Sequence, residues 1–156
     1  LEIKKFYPKE FAAGMKALEQ ISYYEGIELN EDEAGFIALH FINGGLNNDT
    51  AQTLLTTEML QKVVLIVEDG LGIELDTESL NYVHFVTHLK FFIQRVIINE
   101  PRQEAVPEMY EQVVQFYPKA TESVGIIKQY LQEKLACRIY PEEEMYLILH
   151  VQRLIK

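Results

Sequence analysis

Apolar residues recur along this chain at spacings of three and four, as in Phe11, Met15, Leu18 and Ile21, and again in Phe36, Ile37, Leu39 and Phe41. That period gathers them on one face of an α-helix, whereas a half-buried strand would alternate at two. The expected fold class is therefore all-α, a helical bundle. Turn and cap residues divide the chain into about seven helices. The first is expected from Pro8, a residue suited to a first turn, to about Tyr24, with a stop near Gly26. The second begins at Asn30, whose side chain can cap while Glu33 takes the third helical position, and ends at Gly44 and Gly45. The turn-forming stretch from Gly44 to Asp49 reads as a linker. A third helix is expected over Thr50 to Glu68, closed by Gly70 and Gly72, and a fourth from a cap at Asp76 or Thr77 through Ile98. Helices over Pro107 to Phe116, Pro118 to Leu135 and Pro141 to the end complete the expectation.

The chain also repeats. A shift of 110 residues places Phe6-Tyr7-Pro8-Lys9 on Phe116-Tyr117-Pro118-Lys119 and Leu39-His40 on Leu149-His150 without a gap. Between those ends Ile21 meets Leu131, Leu29 meets Ile139, Asp32-Glu33 meets Glu142-Glu143, and Phe36-Ile37 meets Tyr146-Leu147. A unit of this length makes residues 1–48 the back half of a first copy, with its front half expected upstream of Leu1, and residues 49–156 a complete second copy. The half-unit carries an apolar face of Phe11, Met15, Leu18, Phe36, Ile37 and Phe41, expected to be buried against residues 50–156 or a second chain.

Charge and composition exclude several function classes. Fourteen Lys and Arg against 24 Asp and Glu give a net charge of −10, the reverse of what binding a phosphate backbone requires. The most apolar stretch, Val83 to Ile98, is interrupted by two histidines, Lys90, Gln94 and Arg95, so no membrane span is expected. No secretory leader is read, and the single cysteine, Cys137, cannot form an internal disulfide, so the expected compartment is the cytoplasm.

The four histidines all fall inside expected helices among apolar neighbours. Such a residue is ordinarily a core or boundary side chain with one satisfied hydrogen bond. His40 stands seven residues after Glu33, and His150 seven after Glu143 and three before Arg153. His84 and His88 lie one turn apart, with Phe91 and Arg95 continuing their stripe. That pair has zinc-compatible spacing, but the intervening Phe85-Val86-Thr87 supplies no metalloprotease glutamate and no nearby Cys or Asp completes a site, so no metal is assigned. No nucleophile elbow, phosphate loop or dinucleotide pattern is present, and neither an enzymatic activity nor a cofactor is expected. The runs Glu31-Asp32-Glu33 and Glu142-Glu143-Glu144 read as first-turn carboxylates complementing helix dipoles. What remains for the histidines is phosphoryl acceptance. A neutral imidazole is a competent nucleophile at cellular pH, and Arg95 and Arg153 could receive the added charge.

At these residues the chain resembles a known family. Phe6 to Glu10 followed by Asp32 to His40 is similar to the second half of a PTS regulation domain. Asn81 to Phe92 resembles the first-histidine segment of the next such domain, and Glu144 to Arg153 its second. The pattern is that of the BglG/LicT-type antiterminators of sugar operons. The resemblance implies tandem all-helical bundles whose histidines are phosphorylated by the phosphocarrier HPr or by a sugar-specific enzyme II, with consequences for packing in a homodimer. It makes His40 the second histidine of the first domain, and His88 and His150 the first and second of the next. His84 stands where relatives often carry Arg and is not counted as a phosphorylation site. RNA would be bound only by a separate N-terminal domain absent here. The same domains also occur in DNA-binding activators of the phosphotransferase class.

Overall fold

A computed structural model of the chain describes residues 3–26, 28, 30–46 and 50–155. Among them the secondary structure is helical throughout: α1 (Ile3–Phe6), α2 (Pro8–Glu25), α3 (Glu31–Leu46), α4 (Thr50–Leu71), α5 (Leu80–Ile97), α6 (Tyr110–Phe116), α7 (Pro118–Leu135) and α8 (Pro141–Ile155). The all-α expectation is met. The repeat is visible in the elements themselves, since α2 and α7 begin at Pro8 and Pro118, α3 and α8 at Glu31 and Pro141, and the short helices before them end at Phe6 and Phe116.

Local chemistry accounts for most of these boundaries. The Glu33 amide donates to Asn30 Oδ1 at 3.2 Å, the cap expected for α3. Gly26 and Gly72 take left-handed backbone angles, φ +67° and +63°, just beyond the ends of α2 and α4. Other boundaries differ from expectation: α1 is not among the expected helices, and α4 runs through Gly70 to Leu71. The cap of α5 is Ser79, whose side chain accepts from the Tyr82 amide, because Asp76 is already engaged by the Glu78 amide at 3.0 Å in the turn before it. α6 starts at Tyr110 rather than Pro107, and the earlier residues form only a turn, with the Tyr110 amide donating to the Pro107 carbonyl. α3 continues through Gly44 and Gly45 to Leu46, since a glycine weakens a helix by about 1 kcal/mol without ending it unless the backbone turns left-handed. The rest of the expected linker, 47–49, lies outside the described residues.

The chain forms two compact units, Leu1–Gln61 and Lys62–Lys156. In the first, α1, α2 and α3 pack on one another and bury Ile3, Phe6, Leu18, Ala34, Ala38 and Ile42. Tyr7 is buried with its hydroxyl bonded to Thr57, and burial pushes that phenol up to about 12. The single chain covers only part of the apolar face of this half-unit, whose expected cover is residues 50–156 or a second chain. Leu18 is buried, but Phe36 and Phe41 remain 63% and 49% exposed in the chain by itself. An open groove of about 500 Å³ lies where Ile3, Phe11, Phe36 and Leu39 meet.

In the second unit α8 packs against α5, α6 and α7. Phe85, Leu89, Phe92, Ile127, Leu131, Leu147 and Ile148 form a fully buried core, which positions the partly exposed residues on the rim of α5 and α8. At about 25 cal/mol per Å², each such side chain contributes roughly 1.5–3 kcal/mol of apolar transfer energy. The first turn of α8 does more than complement a dipole. Glu144 is buried and accepts from Tyr110 Oη on α6 and Lys128 Nζ on α7, both at 3.0 Å. Glu143 accepts from the Tyr140 amide and pairs with Arg102 at 3.1 Å, tying the segment after α5 to the head of α8. Glu144 thus connects α8 to two other helices and Glu143 connects it to the segment after α5, which the dipole reading did not anticipate.

Candidate functional site

The α5–α8 packing creates a cluster of titratable side chains. Buried Phe85, Leu89 and Phe92 turn one face of α5 inward, and the residue beside them on the rim is His88. On α8 the same logic applies to Leu147, Ile148 and Val151, with His150 on the rim. The two imidazoles lie 4.9 Å apart between ring centroids, with their planes inclined by 31°. The half-exposed Tyr146 ring, one turn before His150, is 6.1 Å from His88. Asn81 Nδ2 donates to the Arg153 carbonyl oxygen at 3.1 Å, joining the first turn of α5 to the last turn of α8 and holding the histidine rims in register.

Both imidazoles are held in the neutral form. Burial lowers His88 from 6.5 to about 4, helped by the neighbouring His150 and by the charge of Arg95. His150 is lowered by burial, then by Arg153 and by His84. Each therefore offers an unprotonated ring nitrogen at cellular pH, and each lies in the field of an arginine.

Of the residues singled out in the sequence, His88 and His150 are brought together, with Arg95 acting electrostatically on His88 and Arg153 on His150. His84 is exposed on α5 and acts electrostatically on His150 across the helix pair, as well as lying one turn from His88. His40 is exposed on α3 in the first unit. Among the described residues no group of three or more His, Cys, Asp or Glu side chains could hold a metal ion, and no helix is long and apolar enough to cross a membrane. Sequence reasoning missed Asn81 and Tyr146. Each is signalled only by its offset, three residues before His84 and four before His150, and what it touches depends on how α5 crosses α8.

The PRD domain matches residues 1–44 and 61–154. The chain belongs to the PRD domain family. Among its relatives, the transcription antiterminator LicT of Bacillus subtilis is 36% identical over 155 residues, covering 99% of this chain and 56% of that protein. The beta-glucoside operon antiterminator of Dickeya chrysanthemi is 34% identical over 152 residues, covering 97% and 54%. The PtsGHI operon antiterminator of Bacillus subtilis is 28% identical over 155 residues, covering 99% and 54%. This PRD chain thus spans about half the length of the curated relatives it matches.

Proposed function

We propose that this PRD chain is the regulatory module of a sugar-operon transcriptional antiterminator, switched by phosphorylation of histidine from the phosphotransferase system. In this reading residues 1–48 are the C-terminal half of a first PTS regulation domain and residues 49–156 a complete second one. The two family matches end at residues 44 and 154, positions equivalent under the internal repeat, which supports that division. The relatives' names, which include beta-glucoside and PtsGHI operon antiterminators, favour antitermination over a DNA-binding activator.

The observation that carries the proposal is the facing pair of neutral imidazoles, His88 and His150, each in the field of an arginine. A lone pair on one of these ring nitrogens attacks the phosphorus of a phosphorylated HPr or enzyme II. The new N–P bond forms as the donor's bond to phosphorus breaks, and the donor residue keeps that electron pair. The transferred group carries roughly −1.5 to −2 charges, which Arg95 and Arg153 receive. His40 is a third acceptor, on the exposed face of α3. Two copies of the chain related by a two-fold axis present the same patch to each other. A charge change at the histidines therefore alters how they pair.

Incubation with phosphoenolpyruvate, enzyme I and HPr should place an acid-labile phosphoryl group on His88 or His150. His88→Ala combined with His150→Ala should remove most of the label, and full labelling of that double variant would refute the assignment.

A further inference from the structure

The two copies of the repeated hairpin differ at a place remote in sequence from the histidine pair. Phe6 and Tyr7 join α1 to α2, and Phe116 and Tyr117 join α6 to α7. Phe6 is 1% exposed and Tyr7 is buried, whereas Phe116 is 74% exposed and Tyr117 is only half-buried. The hairpins match helix for helix, α1 with α6, α2 with α7 and α3 with α8. In the first unit, which runs to Gln61, the element without such a match is the start of α4, and Tyr7 is bonded to its Thr57.

Helix α4 changes character along its buried positions. Its first turns place Thr53, Thr56 and Thr57 there, and from Met59 onward the buried side chains are apolar, as at Val63 and Val67. The Thr57 hydroxyl donates to the Thr53 carbonyl oxygen at 2.8 Å, within α4 itself, which leaves the hydroxyl oxygen to accept from Tyr7. When these turns lift away, Thr57 keeps its own bond and Tyr7 exchanges one partner for water, so the polar groups lose little. The apolar turns have no such option, because each side chain they withdraw exposes hydrocarbon. Uncovering Phe6 is a condition the second hairpin already tolerates at Phe116. The division between the two units falls within α4, between Gln61 and Lys62, just past the change from threonine to apolar residues.

We propose that residues 50–58 of α4 are a reversible latch on the first unit: closed, they cover Phe6 and Tyr7, and open, they leave these side chains exposed as Phe116 is in the second. The helix from Met59 onward stays in place in both states. The latch therefore decides whether the chain leaves the first unit as rigid helix or as a loose connection.

Thiol labelling of the whole chain tests this. In a Cys137→Ser background, Thr56→Cys and Val64→Cys each place a single thiol at a buried position of α4, and a thermal melt verifies each fold. Without denaturant, Thr56→Cys should react with a maleimide about tenfold or more faster than Val64→Cys, as expected when one segment opens without global unfolding. Tyr7→Phe removes the hydroxyl that the latch holds and no apolar surface. It should raise the Thr56→Cys rate about two- to tenfold, the equivalent of one net hydrogen bond, and leave the Val64→Cys rate unchanged. Equal rates at the two positions, both following global unfolding, would overturn the proposal. So would a fast Thr56→Cys rate indifferent to Tyr7→Phe, which would mean fraying of the helix start and no latch. Amide hydrogen exchange of the unsubstituted chain decides the matter if a cysteine variant fails to fold: residues 55–58 should exchange through local opening well before 64–67, and exchange of both only with the global transition would overturn the latch.

Discussion

The helix pair α2–α3 and the helix pair α7–α8 are two copies of one hairpin, yet only the second belongs to a clustered site. In the first copy the helices meet backbone to backbone. A Cβ placed on Gly14 would overlap the Ala34 carbonyl oxygen, so glycine is what permits this approach. In the second copy those positions are Val124 and Glu144, both buried, and the space between helices holds the polar links from Glu144 to Tyr110 and Lys128. The outer faces differ as well. α8 meets α5 and sets His150 beside His88, while His40 and Phe36, the equivalents of His150 and Tyr146, stand exposed on α3. The hairpin by itself supplies a histidine; a helix from the other half of the unit turns it into half of a pair.

Exchanging the hairpins' inner residues should break the comparison most severely. Ala34→Glu would place a carboxylate at a fully buried position against the Gly14 backbone, where Leu18 stands in the place of Lys128. We expect a loss above about 4 kcal/mol, or loss of the cooperative transition, in denaturant unfolding of the chain. The reciprocal Glu144→Ala leaves Lys128 and Tyr110 without their shared acceptor and should cost about 2–3 kcal/mol. Equal effects of the two changes would mean that the hairpins are stabilised in the same way.

Acid should act through the histidine pair. His88 titrates near 4 when folded against 6.5 in its ordinary state, so the folded chain binds fewer protons between those values. Its contribution to stability is complete above about pH 6.5 and diminishes as the pH falls toward 4. Melting temperatures of wild type and His88→Gln between pH 7 and 4.5 should therefore differ in slope, with the variant less acid-sensitive. Parallel curves would show that the pair is solvated.

The smallest effect is expected at the clasp between α5 and α8. Asn81→Ala removes the bond to the Arg153 carbonyl and should cost about 0.5–1.5 kcal/mol. Its sharper readout is the His88 imidazole titration followed by NMR, which should move from about 4 toward its ordinary value as the pair loosens. An unchanged titration would leave the register of α5 and α8 to apolar packing alone.

Much of this molecule was legible before any coordinates, and the reasons are local. Pro8, Asn30, Pro118 and Pro141 start helices through their own backbone limits and side-chain caps, and the spacing of apolar residues selects the buried face of each helix. The cap of α5, expected at Asp76 or Thr77, is Ser79, because the outcome depended on which side chain the preceding turn had already engaged. The histidines and their arginines could be named from composition and spacing. Their meeting could not. That His88 faces His150, that Asn81 reaches the end of α8, and that Glu143 binds the segment after α5 and Glu144 binds α6 and α7 all follow from how α5, α6, α7 and α8 cross. Helical period sets the direction of a side chain around its own axis, and only packing between axes sets what that side chain meets.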